Sequence, residues 1–300
     1  MHIVISGASG FIGKELRRSL QEAGHSVSVL VRREIASAAE IQWNPASRQL
    51  DPAALAGADA LINLSGAGIG DRPWTSKRKA DLVSSRLDST RTLTGAMEQM
   101  DVPPAVFVSQ SASGYYGDAG NTVLREDHQR GNGFLSGLCA EWEAAAHEAP
   151  EGVRVVTPRT GVVLSPSGGA LGKLLPLLRL GLGGPLGDGR QYWPWVTLPD
   201  VTSAFTFLLD SDIHGPVNLC GPRHTDLNTL VRQLAHALHR PAVARVPAFA
   251  LKLLMDGLAS ELLLASQRME PAVLAGAGFQ WQHGTVEAAA GWVAAGARKK

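Results

Sequence analysis

Short apolar runs rich in β-branched residues alternate through the first half of the chain with longer stretches whose apolar positions fall at helical spacing. Runs of this kind, bounded by Gly, Pro, Asn or Asp, predict strands over His2–Ser6, Ser26–Val31, Glu40–Trp43, Ala58–Leu64, Ala105–Ser109 and Val153–Pro158. Between them the spacing predicts helices over Phe11–Ala23, near Ala53–Leu55, over Ser76–Met100 and over Phe134–Glu148. Phe11, Ile12, Leu16 and Leu20 form the apolar face of the first helix. Gly24 stands where a left-handed helix end is expected, and Pro103-Pro104 stops the long helix before the next strand. Strands alternating with helices in this way build βαβ units around a parallel sheet.

After Arg159 the texture changes. The segment from Ser165 to Gly189 is rich in glycine and proline around an apolar helix at Leu171–Leu180, which suggests a mobile rim or lid. Helices near Val201–Leu209 and Asp226–His239, strands at Val217–Leu219 and Val243–Val246, and a largely helical end from Ala248 complete the reading. The expected architecture is α/β: a Rossmann-type doubly wound parallel sheet with a smaller, mostly helical substrate-side lobe and a C-terminal extension. Residues 1–164 form the cofactor domain, with later segments returning to it, and residues 165–300 form the substrate-side lobe.

Composition narrows the partners. A net charge of +1 with 18% charged residues, the signs interspersed, gives no electrostatic footprint for nucleic acid or an anionic membrane. The basic end Arg298-Lys299-Lys300 reads as a solvated tail. No apolar run is long enough to span a bilayer and the chain enters a strand pattern at once, without a leader, so a cytoplasmic protein is expected. Cys139 and Cys220 lack paired spacing and read as buried thiols. His236 and His239 have no third ligand nearby, so no metal site is expected. The partner left is a small-molecule substrate; nothing in the sequence sets an oligomeric state.

The strand His2–Ser6 runs directly into Gly7-Ala8-Ser9-Gly10-Phe11-Ile12-Gly13, which opens a helix. Gly7 permits the tight turn, Gly10 lets backbone amides approach a pyrophosphate at the helix's positive end, and Gly13 lets the helix pack close to the sheet. An acidic residue about 20 positions past the glycines would bind the ribose 2′-hydroxyl of NAD(H), whereas a cation accommodates the 2′-phosphate of NADP(H). The second strand here ends in Arg32-Arg33, with Glu34 only afterwards, which favours NADP(H). Arg33 has an alternative role capping the sheet edge.

The glycine motif is followed by Asn63-Leu64-Ser65-Gly66-Ala67, Trp74-Thr75, Ser85-Arg86-Leu87, Ser111–Gly117, Trp142-Glu143 and Arg159–Leu164, then by Gly181–Gly189, Gln191 and Trp195. With Val246-Pro247-Ala248-Phe249, Pro271 and Gly278-Phe279 near the end, this set resembles the "epimerase family" branch of the extended short-chain dehydrogenase/reductases. The resemblance spans essentially the whole chain. It implies that Leu64, Ser65 and Gly66 pass the adenosine ribose or pyrophosphate, that Arg86 reaches the cofactor from the long helix, and that Arg159 and Val163 lie near the nicotinamide. For Leu64 and Val163, core packing is the alternative.

Extended members of that superfamily normally use a serine, a tyrosine and a lysine four residues after the tyrosine. The tyrosine carries the proton, the lysine lowers its pKa, and the serine polarises the reacting oxygen. Ser111 is a candidate for the serine, and Tyr115 or Tyr116 could donate a proton as the neutral phenol. Counting back from Trp142-Glu143, however, the tyrosine and lysine positions fall near Leu135 and Cys139, which can do neither task. Asp118, Glu126 and Asp127 offer carboxylates, as residues that also serve as caps or surface groups. Two classes stay open: an NADP-dependent oxidoreductase or epimerase acting on a small polar molecule such as a carbonyl compound or sugar nucleotide, and a non-catalytic NADP(H)-binding regulator or assembly factor.

Overall fold

The computed structural model describes residues 1–184, 186–242, 248–249 and 257–298. The expected strand Val243–Val246, most of the Val246–Phe249 motif and the last two residues of the basic tail lie outside these. The chain divides into two compact units: residues 1–111, 138–158 and 202–217, and residues 112–137, 159–201 and 218–300.

The first unit is built on strands that sit where the apolar runs place them. They are β1 (His2–Ser6), β2 (Ser26–Val31), β3 (Glu40–Gln42), β4 (Ala60–Asn63), β5 (Val106–Ser109), and most of β8 (Arg154–Thr160) and β11 (Gly215–Leu219); the two-residue β6 (Ser111–Ala112), which starts in this unit, was not among the expected strands. Along the sheet they run β11-β8-β5-β4-β1-β2-β3, and β1 pairs in parallel with both β2 and β4. Chain order therefore reverses between β1 and β4, the switch point outside which an open α/β sheet receives ligands at its strands' carboxyl ends. Helices α1 (Phe11–Glu22), α2 (Ser76–Met97) and α3 (Phe134–Ala146) have the expected places.

Sequence period sets the packing. Leu16 and Leu20 of α1 are fully buried, and Val4, Leu61, Leu93, Met97 and Phe107 join Trp43 and Leu55 in one core cluster. Helix α2 shows a different logic, because Ser89, Thr90, Thr92 and Thr94 are buried along with its leucines. Their hydroxyls bond carbonyls of the preceding turn, so a polar face is internally satisfied.

The second unit carries β7 (Val123–Leu124) paired with β12 (Arg268–Met269), and β9 (Val162–Leu164) paired with β10 (Trp195–Thr197). Its helices include α4 (Leu171–Arg179), α6 (Leu227–Ala237) and Val286–Arg298; α5 (Leu198–Asp210) begins in it and ends in the first unit. Leu171, Leu175 and Leu178 of α4 pack with Leu227, Leu230 and Leu234 of α6 and Val286 and Val293 of the last helix. Trp193 and Trp195 belong to that cluster, at 6% and 1% exposure. Both indoles therefore serve to pack the helices of this unit; Gln191 is likewise buried, its Nε2 donating to the carbonyls of Leu186 and Leu263.

Candidate functional site

At the carboxyl ends of β1, β2 and β4 the first unit holds an open groove of about 1260 Å³, lined among others by Gly7–Gly10, Val29–Arg33, Trp43–Ala46 and Leu64–Ala67. Its turn geometry explains the glycines. Gly7 has φ +74°, and a Cβ there would lie 2.7 Å from the Leu64 carbonyl. A Cβ on Gly13 would lie 2.3 Å from the Gly7 carbonyl oxygen, so this residue fixes how closely α1 meets the turn. Gly10 differs: its backbone is ordinary extended chain and a Cβ would meet only the Gly7 oxygen, at 3.1 Å. Its bareness leaves room on the groove side. Ser9 and Gly10 line the groove, while Phe11 and Ile12 are half-buried on α1 and are not among its lining residues.

Among the described residues no side chain caps the start of α1, in contrast to α2, where Thr75 accepts from the Arg78 amide, and α6, where Asp226 accepts from Thr229. The helix lacks acidic residues in its first turn as well. Uncapped amides at a positive helix end, facing a groove no Cβ can enter from Gly7 or Gly10, suit a pyrophosphate. The residues therefore fit a dinucleotide.

The groove floor is held by a closed set of hydrogen bonds. Asn63 Oδ1 accepts from Ser6 Oγ at 2.7 Å and from the Ser65 amide at 3.2 Å, while its Nδ2 donates to Thr90 Oγ1 at 2.9 Å and Ser109 Oγ at 3.3 Å. Trp142 Nε1 also donates to Thr90 Oγ1, at 3.0 Å. Leu64, Ser65 and Gly66 thus leave β4 on a fixed path. Arg86 packs against Gly66, donates to the carbonyls of Leu82 and Ala67 and lies over the Trp142 ring at 5.1 Å. Burial, with Arg78 adding to it, shifts the Arg86 guanidinium downward.

The cationic rim is broader than Arg32-Arg33, since Lys14 and Arg17 from α1 also line the groove. Arg33 spends its fork on Glu40, with Nη2–Oε1 at 2.6 Å and Nη1–Oε2 at 2.9 Å. Arg32 makes no ion pair among the described residues. Lys14 and Arg17 were missed in the sequence, although their signal was present: they follow Gly13 by one and four residues, on the first exposed turns of the helix that bears the motif.

Ser111, also in the first unit, is fully buried and donates its hydrogen to Glu143 Oε1 at 2.6 Å. Glu143 is 8% exposed and stands on α3 one turn beyond Cys139, itself one turn beyond Leu135. Leu135 and Cys139 are both buried. The serine thus pairs with a carboxylate that the sequence supplied only as a landmark.

The remaining candidates lie in the second unit. Tyr116 is buried; its hydroxyl donates to Asn218 Oδ1 at 2.7 Å or the Arg125 carbonyl at 3.0 Å, and accepts from Arg159 Nη1 at 2.9 Å. Burial pushes the phenol up to about 12 against the pull of Arg159. Tyr115 is half-buried with the Arg159 guanidinium 3.5 Å over its ring. Arg159, 3% exposed, also donates to the Glu126 carbonyl, and Glu126 Oε1 accepts from the amides of Asn218 and Val273. Asp118 takes a turn-capping role at Gly120 and Ser266. Val163 is half-buried in β9, opposite Val196.

Residues 3–221 match the model of the NAD dependent epimerase/dehydratase family. The chain belongs to that family. Residues 246–293 match a domain of unknown function, DUF1731, which follows the family's Rossmann portion here. Among relatives, an epimerase family protein of Mycobacterium bovis is 40% identical over 292 residues, covering 97% of this chain and 96% of its own. The Arabidopsis thaliana epimerase family protein SDR39U1 homolog, described as chloroplastic, is 31% identical over 300 residues, 94% of this chain and 84% of its own. A crystal structure of human epimerase family protein SDR39U1 with NADPH superposes with a TM-score of 0.91 at 30% identity, covering 98% of this chain and 99% of that one. Among the described residues, no helix is long and apolar enough to cross a membrane.

Proposed function

We propose that this epimerase/dehydratase family member binds NADP(H) in the groove of its first unit and uses it as an oxidoreductase or epimerase on a small polar molecule bearing a carbonyl or hydroxyl group. The observation that carries the reading is the groove itself: an uncapped helix start, a glycine turn at the sheet's switch point, and on its rim Lys14, Arg17 and Arg32, which make no ion pair among the described residues. The human relative crystallised with NADPH supports the same cofactor. In this reading the first-turn amides of α1 take the pyrophosphate, Arg32 takes the 2′-phosphate, and Ser65, Gly66 and Arg86 border the adenosine ribose. Residues 165–300 form the substrate-side lobe.

A bound nicotinamide supplies or accepts the hydride. The chain's part is the proton, and Ser111 with Glu143 can carry it. When Glu143 is ionised, the serine hydrogen is held by the carboxylate and Ser111 offers only lone pairs. When Glu143 is protonated, it donates to Ser111 Oγ and releases the serine hydrogen for an oxygen that gains negative charge. Reduction of a carbonyl then moves one proton from Ser111 to the substrate oxygen and one from Glu143 to Ser111, and oxidation reverses both.

A second reading, a redox-responsive binder without turnover, is favoured by one observation: α3 presents buried Leu135 and Cys139 where the tyrosine and lysine of extended enzymes are expected. One experiment separates the readings. NADPH is bound, carbonyl compounds and sugar nucleotides are added in turn, and loss of reduced-nicotinamide absorbance is followed in the parent and in Glu143→Gln. Turnover that Glu143→Gln abolishes with cofactor affinity intact supports the relay. Tight NADPH binding with no turnover across the set supports the regulator, and absence of binding refutes both.

A further inference from the structure

The rim of the groove carries more cations than one phosphate needs, and the structure distinguishes them. Arg33 is occupied: both of its terminal nitrogens lie on the two oxygens of Glu40, and Nη1 also reaches the Glu34 carbonyl at 2.7 Å. Glu40 is occupied in turn, since Oε2 accepts from the Ala36 amide at 2.7 Å and its side chain is only 12% exposed. Yet Glu40 lines the groove. A bare carboxylate there repels a dianionic phosphate and suits an unphosphorylated ribose, to whose 2′-hydroxyl it offers an acceptor.

Arg17 is placed differently. On α1 its neighbour Arg18 is consumed by Glu15 and Glu22, whereas Arg17 makes no ion pair or side-chain hydrogen bond among the described residues. It nevertheless faces the groove and lies close enough to Glu40 to help Arg33 and the Ala36 amide hold that carboxyl below its ordinary range.

We infer that cofactor choice in this chain is set by Arg17 acting with Arg32 on the 2′-phosphate, while Arg33 is a positioning residue that acts only by neutralising Glu40. The inference rests on the reading of the groove as a dinucleotide site and says which side chains set its preference. Arg33 is thus a shield, and removing it uncovers a group that favours NADH.

A double-mutant cycle tests this, read as NADPH and NADH dissociation constants from calorimetric titration at low salt. Arg33→Ala should narrow the NADPH preference roughly tenfold, a loss of the size expected from one charge-assisted contact. In a Glu40→Gln background the same change should leave the preference within about twofold, because the charge it shielded has gone. Arg17→Gln should weaken NADPH roughly tenfold and leave NADH within about twofold, with Arg18→Gln neutral as control. An equal loss from Arg33→Ala in both backgrounds makes Arg33 a direct phosphate ligand and overturns the inference alone. Unchanged NADPH affinity in Arg17→Gln also overturns it. A parent that binds neither dinucleotide overturns the cofactor reading of the groove and the inference with it.

Discussion

Tyr116→Phe removes one oxygen from a buried cluster in which that oxygen has three neighbours. In the parent the hydroxyl serves Asn218 Oδ1 and Arg159 Nη1, both shielded from water. Asn218 cannot compensate by turning its amide, because Nδ2 is committed to the carbonyls of Leu124 and Glu270. Arg159 Nη1 keeps the Glu126 carbonyl at 3.0 Å and is only partly deprived. One orphaned acceptor and one weakened donor put the cost at roughly 1–3 kcal/mol.

The same phenol makes a second, pH-dependent demand. Its pKa stands at about 12 in the folded chain against 10.0 ordinarily, chiefly because burial disfavours the phenolate. The folded state therefore holds that proton more tightly than the unfolded state, so the stabilisation is complete below pH 10 and is lost as pH rises towards 12. At pH 11 the loss is about 1.4 kcal/mol in the parent and absent in the phenylalanine variant. Urea unfolding at pH 8 and pH 11, followed by tryptophan fluorescence, should show the variant less stable by roughly 1–3 kcal/mol at the lower pH, with the gap narrowed by about 1.4 kcal/mol at the higher. Tyr115 and Tyr192 are common to both chains and cancel. A gap of equal size at both pH values refutes the assignment of Tyr116 as a buried, proton-holding structural phenol.

Other substitutions have equally specific outcomes. Gly10→Val should keep the parent's circular dichroism, since a Cβ there meets only one oxygen at 3.1 Å, but should lower NADPH affinity at least about a hundredfold by filling the approach to the helix start. Gly13→Ala should instead unfold or lose several kcal/mol by urea titration, roughly 3 or more, because its Cβ would sit 2.3 Å from the Gly7 oxygen and 2.7 Å from Ala8 Cα.

The sheet was legible because its strands are short and β-branched and its central ones, β1, β4 and β5, are almost wholly buried; the expected strands run one residue too far at Trp43 and Leu64 and start two too early at Ala58. The glycine motif was legible because two of its positions answer to hard steric limits. The Glu143–Ser111 contact was not, since 32 residues separate them and neither spacing nor charge pattern announces a carboxylate buried beside a serine. Arg33 shows a subtler limit. The sequence placed it correctly at the end of β2 but could not show that Glu40, at the start of the neighbouring strand β3, takes its charge.

What separates scaffold from ligand site in the first unit is where polar groups find partners. Asn63 makes four hydrogen bonds, two accepted and two donated, which saturates its donors and fixes Ser6, Ser65, Thr90 and Ser109 around it. A network completed in this way holds β1, β4, β5 and α2 in one arrangement and has nothing left to offer a ligand. A few residues outward the balance reverses: the start of α1 is uncapped, and Arg17 and Arg32 make no ion pair among the described residues. Arg86 stands at the boundary, buried on carbonyls and an indole face with no carboxylate partner among the described residues. Carbonyl dipoles orient a guanidinium but leave its charge uncompensated, so an anion passing Gly66 gains from a cation already desolvated and already in position. A rigid, satisfied floor beneath an unsatisfied cationic rim is the arrangement expected where a phosphate-rich ligand supplies the missing half of the interactions.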